Sequence, residues 1–129
     1  MILPDSSAWI EFLRRTGSDV NNRLREALAD ERLATTDVVL MEILAGARDD
    51  RHRDDLRRLL RRCELVATEG PQDYETAADL YRRCRRRGET VRSLTDCLIA
   101  AVAVRAGLPL LHADADFEAI ARHTPLELA

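Results

Sequence analysis

The chain contains no lysine: its 20 basic residues are all arginine. That absence excludes mechanisms that need an ε-amine, among them the P-loop nucleotide enzymes and the Schiff-base enzymes. Aromatic residues are scarce at 4%, so base stacking on protein rings cannot dominate any nucleic-acid contact. Cysteine is scarce too. Cys63, Cys84 and Cys97 are odd in number and widely spaced, which fits neither a disulfide framework nor a zinc pattern; reduced thiols and a cytoplasmic setting are expected. No apolar run approaches the roughly 18 residues of a membrane span. No basic region followed by an apolar segment opens the chain, so no signal peptide is expected. The net charge of −3 gives no global basic field to gather nucleic acid.

What is present suits one domain over residues 1–129, with 46% hydrophobic residues for a core and 33% charged residues for heavily charged outer helix faces. Apolar runs alternate with helical patterns throughout. "MILPD" reads as a first strand, although Pro4 cannot donate a backbone hydrogen bond to a neighbour. "SSAWIEFLRR" reads as a helix capped by Ser6 or Ser7, and "SDVNNRLREALADE" as a second. "RLATT" is a candidate strand. "DVVLMEILAGA" reads as a helix with Asp37 as its N-cap and Gly46 at its end. Residues 49–62 form a charged helix with a narrow stripe at Leu56, Leu59, Leu60 and Cys63. "CELVAT" is a third strand. A helix opens at Pro71 and closes at Gly88. The most apolar helix runs from about 94 to 106 and belongs at the centre. "LPLLH" is a fourth strand, "DFEAIARH" a short helix, and "LEL" a candidate last strand. This rhythm predicts an α/β fold: a mostly parallel sheet of 4–5 strands with helices on both faces.

Sites in open parallel sheets form beyond the carboxyl ends of the strands. Asp5 ends the first strand there, and Asp114 and Asp116 follow the fourth. Asp96 opens the apolar helix, and Glu42 lies in the apolar run 38–44 with no basic residue within four positions. Each acid has a plain alternative. Asp5, Asp114 and Asp116 suit helix caps, and Asp96 stands three residues after Ser93 as in a capping box. Glu42 can face water on one side of its helix. Together, carboxylates converging from separate elements with no lysine among them repel one another. A divalent cation resolves that repulsion, and all-oxygen ligands favour Mg²⁺ or Mn²⁺.

At these residues the chain resembles the PIN-domain ribonucleases, specifically the VapC-type toxins of bacterial toxin–antitoxin pairs. "MILPDSSAWIEFL", "MEILAGA" and "ETVRSLTDCLIAAVAVRAGLPLLHADADFEAIA" carry the resemblance in order over nearly the whole chain. It implies a PIN-like three-layer fold and a Mg²⁺-dependent endoribonuclease, with Mn²⁺ able to substitute. Such an enzyme hydrolyses RNA phosphodiesters, with tRNA and rRNA as candidate substrates, to arrest translation and growth. It implies a catalytic set of Asp5, Glu42, Asp96 and Asp114, metal ligands among Asp5, Asp96, Asp114 and Asp116, and Ser7 orienting a ligand through its hydroxyl. A cognate VapB-like antitoxin is implied, with a segment lying in an apolar groove near the first helices. So are a homodimer and a heterotetramer or larger assembly with that antitoxin. Pro4 departs from the apolar β-former usual in the family, and His112-Ala113 from a frequent threonine.

"YRRCRRRGETVR" places Arg85, Arg86, Arg87 and Arg92 just before Asp96. An acidic site repels RNA, so basic flanks are needed to hold the backbone; the alternative is a solvated helix face paired with Glu75, Asp79 or Glu89. Two rival functions remain weaker. A receiver domain needs a lysine at the last strand, and a haloacid-type phosphatase needs Thr or Val where Glu118 stands. A non-catalytic binding module of the same fold has no need to keep all these acids.

Overall fold

Every strand of the central sheet is only two residues long. A computed structural model describes residues 1–129 and gives β1 (Leu3–Pro4), α1 (Ser6–Leu13), α2 (Asp19–Ala29), β2 (Ala34–Thr35), α3 (Asp37–Ala45), α4 (Asp50–Leu60), β3 (Glu64–Leu65), α5 (Gln72–Arg86), α6 (Leu94–Ala106), β4 (Leu110–Leu111) and α7 (Ala115–His123). All pairings are parallel. β1 pairs with β4 and β2 with β3. A single bridge, Ile2 to Leu33, joins the two pairs, and Leu128 bridges to the far side of Leu110. The resulting order is β3-β2-β1-β4, with the C-terminal segment at the edge.

Pro4 explains why the sheet is stitched so lightly in the middle. Ile2 N donates to Arg32 O at 3.0 Å and Ala34 N to Ile2 O at 2.9 Å. The next rung requires an N–H at residue 4, which proline lacks. On its other edge β1 is fully paired: Leu3 N reaches Pro109 O and Asp5 N reaches Leu111 O, both at 3.0 Å.

The order also sets the helix layers. Moving from β1 to β2 to β3 runs one way across the sheet; β4 lies on the opposite side of β1. Right-handed crossovers then put α1–α4 on one face and α5–α7 on the other. The packing agrees: α1 meets α2, α3 meets α4, and α5, α6 and α7 pack together. The order in which strands are added reverses at β1, so the switch-point crevice opens at the carboxyl ends of the parallel β1 and β4, beside Asp5 and Asp114.

Helix α6 is the central element, as its composition predicts. Cys97, Ile99, Ala100, Ala101, Val102 and Ala103 are all buried, and Gly107 closes the helix with φ 66°. Trp9, Phe117 and Leu24 fill the core from neighbouring helices. The stripe on α4 is consumed by this core, with Leu56 at 4% and Leu60 at 2% exposure, so it is not a free surface.

Two local expectations are corrected. The cap of α3 is Thr36, not Asp37. Asp37 instead turns to residue 68, accepting from Thr68 N at 3.0 Å and Thr68 Oγ1 at 2.9 Å. Helix α1 is capped by Asp5, whose side chain accepts from Ala8 N, not by Ser6 or Ser7. No helix is long and apolar enough to cross a membrane.

Candidate metal centre

Three helix N-termini meet at the β1–β4 crevice, and each brings carboxylates. Asp5 is 3% exposed. Its Oδ1 accepts from Ala8 N at 3.1 Å and from Ser7 Oγ at 2.7 Å. Burial raises its pKa, while the hydrogen bonds from Ser7 and Ala8 pull the other way. Ser7 Oγ in turn accepts from Ala113 N at 2.8 Å. One hydroxyl therefore ties the end of β1 to the loop after β4 and orients Asp5.

Glu42 comes from α3 and is half-buried. Its Oε1 accepts from Ser6 Oγ at 2.6 Å. Ser6 was expected only as a cap. Its role was legible only in the fact that two adjacent serines follow Asp5; which acid each would serve depends on α3 packing against α1.

Asp96 sits in the first turn of α6. Ser93 caps that helix by accepting from Thr95 N at 3.2 Å, and Asp96 takes no part in a capping box. Its carboxyl is pushed up to about 7, first by burial and then by the negative charges of Asp114, Asp5, Glu42 and Asp116. All five acids are therefore neighbours. Asp96, Asp114 and Asp116 form the tightest group, each offering an oxygen within 4.8 Å of the others. Asp5 and Glu42 flank that trio.

Asp114 caps α7, accepting from Asp116 N at 3.0 Å, so capping and membership of the cluster coexist in one residue. Asp114 N donates to His112 Nδ1 at 3.1 Å, which leaves Nε2 as the nitrogen facing Glu118 Oε1 at 3.2 Å. His112 thus shapes the loop after β4 and packs on Phe117.

One cation enters the cluster. Arg92, in the loop between α5 and α6, donates from Nη2 to Asp114 Oδ1 at 2.9 Å. Its Nε and its backbone N both donate to Asp116 Oδ2 at 3.1 Å. Arg85, Arg86 and Arg87 lie elsewhere, on the last turn of α5 and just after it; Arg85 stacks over Tyr81 with 5.7 Å to the ring centroid. Of the acids suggested as their partners, Asp79 pairs with Arg82 and Glu89 with Arg122 and His123.

The donor set is entirely carboxylate and hydroxyl oxygen. Five acids face a single arginine, and Asp96 receives no hydrogen bond that would stabilise its charge. A hard divalent cation is the species that fits such a set. Asp96, Asp114 and Asp116 would hold it, with Asp5 and Glu42 close enough to act on Asp96.

A parallel sheet with acids gathered at its switch point defines a class of α/β domains with an acidic crevice, and comparison makes the class specific. A family model described as "PIN domain" matches residues 2–123. The chain belongs to the PIN domain family. Within it, the chain is 47% identical over 131 aligned residues to Ribonuclease VapC11 of Mycobacterium tuberculosis, covering 100% of this chain and 98% of that protein. The fold is similar to that of VapBC from Salmonella typhimurium in its DNA-bound crystal structure, with a TM-score of 0.78, 19% identity, and coverage of 100% of this chain and 98% of that one. It is also similar to VapBC-5 from Mycobacterium tuberculosis, with a TM-score of 0.66, 27% identity, and coverage of 98% and 95%.

Proposed function

We propose that the protein is a metal-dependent endoribonuclease, the toxin of a toxin–antitoxin pair, formed as a single PIN domain over residues 1–129 and acting in the cytoplasm. The observation that carries this reading is the carboxylate cluster of Asp96, Asp114 and Asp116, with oxygens within 4.8 Å of one another and Asp5 and Glu42 close by, in a chain 47% identical to a protein named Ribonuclease VapC11. Mg²⁺ is the expected ion, with Mn²⁺ as a substitute, because every ligand is a hard oxygen.

A bound divalent cation supplies positive charge to a scissile phosphate and a water of lowered pKa. The chain's own residues do the rest. Asp96, Asp114 and Asp116 present converging oxygens. Ser7 Oγ and Ala8 N hold Asp5 by its Oδ1. Ser6 fixes Glu42 in the same way, which suits it to orient a water or accept its proton. Arg92 holds Asp114 and Asp116 in place and, being exposed, also stands where a phosphate approaches. Arg85, Arg86 and Arg87 add basic surface for the backbone.

A VapB-like antitoxin is the expected partner, since the structural neighbours are VapBC assemblies. A groove of about 550 Å³ between α1 and α2, lined by Phe12, Leu13, Leu28 and Arg62 among others, suits an apolar segment, and Ile10 and Leu13 are each 40% exposed beside it. Homodimers and heterotetramers or larger complexes follow from the same likeness.

The test is RNA cleavage with Mg²⁺ and with EDTA. The double variant Asp5→Asn/Asp96→Asn should lose cleavage by more than about 100-fold while keeping its fold. Undiminished cleavage by the folded variant overturns the reading.

A further inference from the structure

The last turns of α5 and α7 end side by side, on the opposite end of α7 from the acids. Between them lies an open depression of about 440 Å³ lined by Arg83, Arg87, Arg122, His123, Thr124 and Pro125, with no hydrophobic residue. The helix dipole favours cations in a last turn, which accounts for a basic residue at each helix end. It does not account for Arg83 and Arg87, one turn apart, facing the same depression with neither in an ion pair. The acids of the same stretch pair with other cations: Asp79 with Arg82 away from the depression, and Glu89 with Arg122 and His123 at its other wall.

We infer that this depression binds a backbone phosphate of the RNA, away from the bond that is cut. The inference rests on the ribonuclease reading above. Three guanidinium groups and an imidazole face one carboxylate here, in a chain whose net charge is −3; a polyanion finds little comparable surface near the acids, which repel it. Helix α7 sets the spacing. Asp114 and Asp116 stand at its start, Arg122 and His123 at its end, and nine residues span about 13 Å. The depression therefore holds the strand a few nucleotides from the metal centre.

Glu89 tunes the site. Its carboxylate accepts from Arg122 Nη2 at 2.5 Å and meets His123 Nε2 at 2.6 Å. It is the anion already seated among these donors, and an incoming phosphate competes with it. Removing its charge frees both partners.

The experiment is fluorescence anisotropy of labelled single-stranded RNA in EDTA, so that binding is read without cleavage, with oligonucleotides of about 4 and about 12 nucleotides. Arg83→Ala/Arg87→Ala should weaken binding of the longer RNA about tenfold and make the salt dependence shallower by about one unit in the log–log slope, with little effect on the shorter RNA. Glu89→Gln should tighten binding of the longer RNA. The charge-matched pair Arg48→Ala/Arg51→Ala, in the loop before α4 and in its first turn, should change the slope less. An unchanged slope in Arg83→Ala/Arg87→Ala, or an equal change in the control pair, overturns the site while wild-type cleavage keeps the ribonuclease reading. A wild-type protein that neither binds nor cleaves RNA overturns both.

Discussion

Two groups of acids withdrawn from solvent are treated in opposite ways in this molecule. Asp73 is 2% exposed. Burial pushes its carboxyl up, but the hydrogen bonds from Arg105 and from Glu69 N outweigh it and hold the pKa below the usual range. Arg105 reaches Asp73 through both Nε and Nη2, at 3.0 Å each, and spans to Ala67 O at 2.8 Å. Nearby Asp37 is likewise lowered, because the Thr68 and Thr36 donors outweigh its burial. At the crevice Asp96 has no donor; burial and then the like charges around it raise its pKa to about 7. A buried acid with a full set of donors joins β3 and α5 to α6. A half-buried acid without them carries a charge that the fold leaves unmatched.

The contrast is broken most severely at Asp73. Asp73→Ala removes the buried acceptor of Arg105 and of Glu69 N, leaving the exposed guanidinium only Glu69 and Ala67 O, a loss of charged hydrogen bonds that costs about 2 kcal/mol. Thermal unfolding should show a Tm drop of roughly 7 °C, with metal affinity at the crevice unchanged. Because the Asp73 pKa is lowered on folding, its contribution is present above the unfolded value near 4 and is lost as pH falls.

Ser7→Ala comes next. It removes the hydroxyl that orients Asp5 and joins it to Ala113 N. Mg²⁺ affinity, read by calorimetry, should fall about tenfold, and Ser7→Thr should restore most of it.

Asp96→Asn gives the smallest effect on stability, and of opposite sign. The Asp96 pKa is raised on folding, so its ionisation opposes folding; the penalty builds from about pH 4 and is complete above about 7. In EDTA at pH 8, Asp96→Asn should therefore be more stable than the parent, by about 1 kcal/mol after allowance for solvent screening at a partly exposed group. Below pH 4 the two proteins should melt together. Added Mg²⁺ should raise the Tm of the parent and not that of the variant. A destabilised Asp96→Asn at pH 8 would place Asp96 with Asp73, among the acids that hold the fold.

Much of this architecture is written in local patterns. The apolar helix expected at 94–106 is α6, Leu94–Ala106. "LPLLH" delivers β4, and Gly107 ends the preceding helix in the left-handed region that favours glycine. The acids at strand ends were visible because a parallel α/β rhythm puts strand carboxyl ends on one side. Capping was less legible. Asp37 and Asp5 both stand at a helix start, yet Asp37 turns to Thr68 and Asp5 caps while remaining at the site; the partner that decides lies 31 residues away in one case and two or three in the other. Arg92 stood among the arginines expected to meet RNA, and nothing near it in sequence shows that it holds Asp114 and Asp116 across 22 and 24 positions.

By itself the sequence determined the periodicities, the turns and the acids at the ends of apolar runs, because these depend on neighbours within a few residues. Only the tertiary structure decided that Asp116 stands with Asp96 and Asp114 rather than merely opening α7, that Ser6 serves Glu42, and that Arg83 and Arg87 meet Arg122 and His123. Those are matters of which helix ends the β1–β4 crossover and the α5–α7 packing bring together. Hydrogen bonds and charge repulsion act over a few ångströms in space, whatever the distance along the chain.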